Sequence, residues 1–149
     1  MQEILMLKVK KPWGYELWIE DGTRTPYAVK NILFLAGNRT SLQVHKYKCE
    51  TNCIIKGTGK LYRSKTVFDI DMFLEKGMSS KEVSEYEKTF EVIELQPGVA
   101  FTITPGIVHR VVAVTDLEFI ETSTTELDDV YRLQDDAGRT HGRITSEHE

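Results

Sequence analysis

Short apolar runs with strand-like composition follow one another along the chain, and each is closed by a turn sequence within a few residues. The runs are Tyr15 to Ile19, Tyr27 to Leu35, Thr40 to His45, Asn52 to Lys56, Gly59 to Tyr62, Phe90 to Leu95, Ala100 to Ile103, His109 to Ala113 and Leu117 to Thr122. Between them stand Asp21-Gly22, Ala36-Gly37, Lys56-Gly57, Gln96-Pro97-Gly98 and Thr104-Pro105-Gly106, which supply turn dihedrals that other residues resist. Many short strands with frequent breakers predict an all-β sandwich or barrel. A glycine turn opens each of two similar strand groups, at Gly37 and at Gly98, a weak internal repeat of the kind two Greek keys produce.

Two segments break this rhythm. Ser64 to Lys88 is less regular and richer in charge, and Ser79-Ser80-Lys81-Glu82 reads as a helix start, with Ser79 or Ser80 as cap and Glu82 in the first turn. The segment is expected to be an insertion between the strand groups: a solvated excursion in the plainer reading, a lid or an oligomer contact in the other. Further on, Thr125-x-x-Asp128 has capping-box spacing ahead of Val130-Tyr-Arg-Leu133 and predicts a short C-terminal helical segment. A length of 149 residues suits one domain, 1–149, with a core of about 11–139, the insertion at 64–88 and a frayed tail at 143–149.

Composition narrows the class. With 40% hydrophobic and 28% charged residues the chain has the make-up of a soluble globular protein, and no apolar run approaches membrane-spanning length. Ile4 to Leu7 is too short for the core of a signal peptide, so a cytoplasmic location is the expectation. Nineteen basic residues against twenty-three acidic give a net charge of -4, and no basic stripe exceeds Lys8 to Lys11; nucleic acid is not an expected partner. A small anion remains compatible, because a local basic pocket matters more than the total. Cys49 and Cys53 lie four apart, which on a strand puts them about 13 Å from each other on one face, too far for a disulfide. They are expected to be reduced and structural.

The stretch Gly37 to Gly57 carries the candidate chemistry: glycine, five residues, Gln43-x-His45, four residues, Glu50, six residues, glycine. Residues i and i+2 of a strand share a face, so Gln43 and His45 both face inward if either does, and after the turn an adjoining strand could return Glu50 to the same cavity. About sixty residues on, His109 follows the turn Thr104-Pro-Gly-Ile-Val and opens another apolar strand. An imidazole pair, a carboxylate and an amide carbonyl make a mixed nitrogen and oxygen donor set for a divalent ion, with zinc first and iron, manganese, cobalt and nickel also suited. Four protein ligands on a five- or six-coordinate ion leave positions for water or substrate, which marks catalytic rather than structural metal.

These two stretches resemble the two cupin motifs. The first, G-x5-H-x-H-x4-E-x6-G, matches Gly37, His45, Glu50 and Gly57 with Gln43 in place of the first histidine. The second, G-x5-P-x-G-x2-H-x3-N, matches Gly98, Gly106 and His109, with Thr104 for the proline and Ala113 for the asparagine. Gln43-x-His45 is similar to the metal-binding pair of phosphomannose isomerases. Further pieces resemble the type II group, which includes the C-terminal isomerase domain of bifunctional mannose-1-phosphate guanylyltransferases. They are Lys11-Pro-Trp13-Gly14, Tyr27-Ala-Val-Lys30, Ser41-Leu-Gln-Val-His45, Leu117-Glu-Phe-Ile-Glu121, Asp128-Asp-Val-Tyr-Arg132 and Asp136-Ala-Gly-Arg139. The resemblance runs in order from about Lys11 to Arg139. Where that group continues the first motif with more histidines, this chain has Tyr47 and Thr51.

The resemblance implies a cupin double-stranded β-helix, or jelly roll, with a divalent metal on Gln43, His45, Glu50 and His109, and aldose–ketose isomerisation of a sugar phosphate of the mannose 6-phosphate type. Lys30 and Arg110 are the candidates for holding phosphate or enediolate, Lys30 ahead because a strand neighbour of His109 should face away from the cavity unless the strand bulges. Tyr47 is the candidate proton donor. Rival readings are a non-isomerase metal-binding cupin, as an oxygenase or a sugar-binding module, and a metal-free epimerase, which would not need the ligand set. Trp13 and Trp18 are expected to plug the barrel rather than stack on a sugar. His141 and His148 fall in the tail and are expected to be exposed. A homodimer is expected, through an edge strand or the Ile4 to Leu7 segment.

Overall fold

A computed structural model describes residues 5–134 and 142–143. His141, His148, Ile4, the Asp136-Ala-Gly-Arg139 stretch and the tail beyond 143 lie outside the described residues. The strands are β1 (Leu7–Lys11), β2 (Gly14–Glu20), β3 (Ala28–Phe34), β4 (Leu42–Val44), β5 (Glu50–Lys56), β6 (Gly59–Arg63), β7 (Glu91–Leu95), β8 (Ala100–Ile103), β9 (His109–Ala113), β10 (Leu117–Ser123), β11 (Tyr131–Gln134) and β12 (Gly142–Arg143). Two helices, α1 (Ile70–Lys76) and α2 (Ser80–Glu87), fall between β6 and β7. One sheet runs β1-β2-β3-β10-β5-β8 and the other β12-β11-β4-β9-β6-β7. All the pairings are antiparallel, and the two sheets form the expected all-β jelly roll. No helix among the described residues is long and apolar enough to cross a membrane.

Strict alternation builds the interior. In β3 the buried side is Ala28, Lys30, Ile32 and Phe34, and in β10 it is Leu117, Phe119, Glu121 and Ser123. Register then sorts the interior into layers: Leu117 lies opposite Phe34, Phe119 opposite Ile32 and Ile54, and Glu121 opposite Lys30 and Asn52. The apolar layer belongs to a core completed by Trp13, Leu61, Leu95, Phe101, Ile103, Val111 and Ala113. Trp13 meets Phe34 edge-on, and Phe34 meets Phe119 likewise, so this tryptophan does plug the barrel. The polar layer, above it, is where the site forms.

The segment 64–88 is not a solvated excursion. Ile70, Phe73 and Val83 pack with Phe90 onto Leu42, Val44, Val108, Tyr131 and Leu133, so the two helices cover the outer face of the second sheet with a core of their own. The helix start expected at Ser79 is present as a capping box: the Ser79 hydroxyl accepts from the Glu82 N–H at 3.1 Å and the Glu82 carboxylate accepts from the Ser79 N–H at 3.1 Å. α1 was not apparent in the sequence; Asp69 caps it by accepting from the Met72 N–H at 2.9 Å.

The expected C-terminal helix is absent among the described residues, and strand takes its place. Residues 124–128 form turns, and Tyr131–Gln134 pairs with β4, Tyr131 opposite Val44 and Arg132 opposite Gln43. The local capping signal loses because Tyr131 and Leu133 complete the apolar layer beneath the helices, while β4 gains a second hydrogen-bonding neighbour.

Gly57, which closes the first motif, turns from β5 into β6 at φ +85°, and a Cβ there would collide with the Asp116 carbonyl. Gly37 has a similar φ of +81° with open space around it. Gly57→Ala is therefore expected to cost about 3 kcal/mol and Gly37→Ala about 1 kcal/mol, as read by urea denaturation. Equal losses would mean that the close approach at Gly57 is unimportant.

Candidate metal centre

Three strand ends deliver the candidate ligands. β4 carries Gln43 and hands on to His45 one residue after it ends, Glu50 is the first residue of β5, and His109 is the first residue of β9. Gln43 and His109 are direct partners across the β4–β9 pair. Glu50 Oε1 lies 3.3 Å from His45 Nε2 and 3.3 Å from His109 Nε2, and the three side chains present ligand atoms within 4.8 Å of one another, all buried. The two rings stand 5.1 Å apart between centroids and tilt by 50°. Gln43 lines the same cavity, its Oε1 accepting from the Ser41 hydroxyl at 2.8 Å.

The outer nitrogens of the rings fix the tautomer. His45 Nδ1 is 2.8 Å from the Asp129 carbonyl oxygen and His109 Nδ1 is 3.0 Å from that of Ile107. A carbonyl only accepts, so the proton of each neutral ring sits on Nδ1 and leaves Nε2 as a lone pair aimed at Glu50. At 3.3 Å the Nε2 to carboxylate contacts have the length of a weak hydrogen bond without the proton to make one. Buried His45 Nε2 accordingly has no hydrogen-bond partner. Two lone pairs and a carboxylate facing one another in a buried pocket repel unless a cation or a proton sits between them, so the residues present fit a divalent ion.

Asp129 builds the turn that carries His45. Its carboxylate accepts from three successive backbone N–H groups, those of Lys46 at 3.2 Å, Tyr47 at 2.6 Å and Lys48 at 2.9 Å, while its own carbonyl holds His45 Nδ1. On the other side, the His45 carbonyl accepts from the Gly106 N–H at 2.8 Å, tying the first motif to the turn that precedes His109.

A wall of buried charge adjoins the cluster. Lys48 Nζ donates to Glu121 Oε1 at 3.0 Å and lies 3.9 Å from Glu50 Oε2. Burial resists ionisation of Glu50, but the neighbouring Lys48 ammonium is the leading influence against it, and the carboxyl is held well below its ordinary range. At Glu121 burial wins: together with the neighbouring Glu50 charge it pushes the carboxyl up to about 7, against the pull of Lys48 and Lys30. Glu16 accepts from the Trp18 indole N–H at 2.8 Å and sits 3.4 Å from Lys30 Nζ. Burial opposes its ionisation too, and Lys30 and Lys11 override that and draw it below the usual value.

The candidates from the sequence separate into groups. Gln43, His45, Glu50 and His109 come together. Lys30 is buried on the inward face, stacked 4.5 Å over the Trp18 ring and paired with Glu16, behind the lining of the cavity rather than in it. Arg110 faces the other way, as its strand position requires: it donates to the Thr40 carbonyl at 3.0 Å and to Glu87 of α2 at 3.2 Å, so β9 does not bulge to bring it inward. Tyr47 is 64% exposed and borders a separate surface groove with residues 125–129. Cys49 is half-buried and Cys53 exposed, and both are free thiols.

Lys48, Glu121 and Asp129 carried no assigned role in the sequence reading. Glu121 was legible, since Leu117, Phe119 and Glu121 alternate onto one face and a carboxylate ending an apolar inward series stands out. Lys48 and Asp129 sit in turns, where no period shows which way a side chain points.

A jelly roll of two antiparallel sheets with histidine and carboxylate ligands converging inside it is a cupin. Within that superfamily the chain belongs to the family described as mannose-6-phosphate isomerase C-terminal, whose model matches residues 2–98 and so takes in Gln43, His45 and Glu50 but stops short of His109. No curated protein matches the sequence. Among solved structures the chain is similar to the capsular polysaccharide assembling protein CapF from Staphylococcus aureus, with 17% identity, TM-score 0.60, and coverage of 89% of this chain and 32% of that one. It is also similar to oxalate decarboxylase from Bacillus subtilis, with 17% identity, TM-score 0.61, and coverage of 86% and 30%. The chain thus spans about a third of the length of each. At that identity the likeness is one of fold.

Because Asp129 fixes both the turn and the His45 ring, Asp129→Ala should weaken zinc binding by roughly 10- to 100-fold, read by calorimetric titration of metal-stripped protein. His45→Ala and His109→Ala should abolish the transition, and Cys49→Ser should leave it unchanged. An Asp129→Ala affinity equal to wild type would show that the ring holds its orientation without this support.

Proposed function

We propose that the protein is a divalent-metal-dependent aldose–ketose isomerase acting on a sugar phosphate of the mannose 6-phosphate type. The observation that carries the reading is the Lys48–Glu121 contact, 3.0 Å long, in the same cavity as the three convergent acceptors. Family membership supports it independently. Isomerisation moves a proton between C1 and C2 through an enediolate, so the site needs a base over those carbons and stabilisation of a developing oxyanion. A divalent ion on His45, Glu50 and His109, with Gln43 alongside, would supply the second by polarising the sugar's carbonyl and hydroxyl oxygens.

The chain's own groups supply the rest. Glu121 takes the C2 proton on Oε2 and returns it to C1, the hydroxyl proton passes from O2 to O1 across the enediolate, and Lys48 holds Oε1 and fixes the carboxylate's direction. Lys30 acts at one remove, balancing the charge of Glu16 and Glu121. Trp13, Phe34, Phe101 and Phe119 form the apolar wall that keeps water from the enediolate. The free space between the walls is about 70 Å³, enough for the C1–C2 end of a sugar rather than for the whole ligand. The phosphate therefore stays toward the mouth, with half-buried Lys11 as the lining cation on its path. Tyr47 and Arg110 lie off this path and take no part in the proton transfer.

Metal-loaded protein should interconvert mannose 6-phosphate and fructose 6-phosphate. Glu121→Gln should lower kcat by about 10²- to 10⁴-fold at unchanged metal affinity, and Tyr47→Phe should leave kcat within about twofold. Fully loaded protein that turns over neither sugar would leave a metal-binding cupin that is not this isomerase.

A further inference from the structure

Asn52 is a buried polar residue that the reaction above does not use. It lies on β5 two residues beyond Glu50, and the alternation of that strand puts Glu50, Asn52 and Ile54 on the inward side, with Thr51, Cys53 and Ile55 outward. It is 2% exposed, lines the cavity, and its Oδ1 accepts no hydrogen bond. Buried side-chain acceptors are nearly always satisfied, and one that is left over in a cavity wall is made for a donor that arrives from outside the chain. His45 Nε2 is another buried acceptor without a partner among the described residues, and a bound ion would account for it.

The position of Asn52 says what that donor is. Across the sheet its neighbours are Glu121 on β10 and Phe101 on β8, so the acceptor stands between a carboxylate and an aromatic face. Polar groups on one side of a ligand and aromatic rings on another suit a polyol, which has hydroxyl edges and a C–H face. Its direct pairing with Glu121 sets Asn52 level with the carboxylate that acts on C1 and C2. The hydroxyl within its reach is therefore one on or next to those carbons, at C2 or C3. We infer that Asn52 is a specificity-determining residue that binds a ligand hydroxyl on or next to the reacting carbons, so that the site selects polyols carrying a hydroxyl at C2 or C3. The choice of sugar-phosphate probes rests on the isomerase reading; the polyol class itself does not.

The test is calorimetric binding to zinc-loaded protein of mannose 6-phosphate, its 2-deoxy and 3-deoxy analogues, and mannitol, with wild type compared to Asn52→Leu. Asn52→Ala serves as a second variant, and equal zinc affinity in all three proteins serves as the check on folding. Loss of the contact is expected to weaken mannose 6-phosphate about tenfold. With one of the two deoxy analogues that penalty should vanish, a result that a merely structural asparagine would not give. The same penalty on every ligand, or none on any, overturns the assignment, as does a wild type that binds none of the four. If mannitol binds with the Asn52-dependent penalty while no hexose phosphate is turned over, the isomerase reading fails and the hydroxyl site stands.

Discussion

Charge balance inside the barrel is the constraint on which the rest of the structure depends. Glu16, Glu50 and Glu121 are carboxyl groups buried among aliphatic and aromatic side chains, and Lys30 and Lys48 are buried with them. Isolated, each would be very costly to desolvate, and even paired charges in a low-dielectric interior rarely stabilise a fold better than well-packed apolar groups. Their presence in one layer sets the purpose of that layer apart from stability. The geometry reconciles the two demands by stacking: the lower barrel is apolar throughout and provides the driving force, and the upper layer carries the ions within reach of one another. Lys30, Lys48 and the Arg132 guanidinium on the facing sheet set three positive charges against the three carboxyls.

Register is what makes the stacking possible. Were β10 to slip by one residue against β3 and β5, Glu121 would turn outward and Ile120 would enter the polar layer. The metal cluster is tied to the same frame from the other sheet, through the Gln43 to His109 pairing and the hydrogen bond between Gly106 and His45. The helices contribute indirectly. By covering Leu42, Val44, Tyr131 and Leu133 they let β4 and β11 be apolar on the outside while Gln43 and Arg132 line the cavity on the inside. Arg110, anchored to Glu87, joins that cover to the sheet.

Much of this could be read from the sequence, and the divide between what could and what could not is physical. Strands from Ala28–Phe34 to Leu117–Ser123 announce themselves because alternation and glycine turns are local signals, and the ligand trio follows from spacing within strands whose parity is fixed. β1 and β11 were missed for opposite reasons. In β1 the lysines at 8, 10 and 11 mask the period, and in β11 a local capping pattern competed with a pairing that only β4 can specify. The distinction between Lys30 and Lys48 was equally out of reach, since one lies on a strand facing Glu16 and the other in a turn whose direction Asp129 sets from far along the chain.

That remote support has a consequence for the order in which the protein is assembled. His45 is separated from the carbonyl that orients its ring by eighty-four positions, and the turn 46–48 waits on the same residue for its hydrogen bonds. As the chain leaves the ribosome, the first motif is complete long before the residue that gives it its final shape. Because contacts of such sequence separation form late, the ion would be captured near the end of folding, as the last clasp on a barrel already closed.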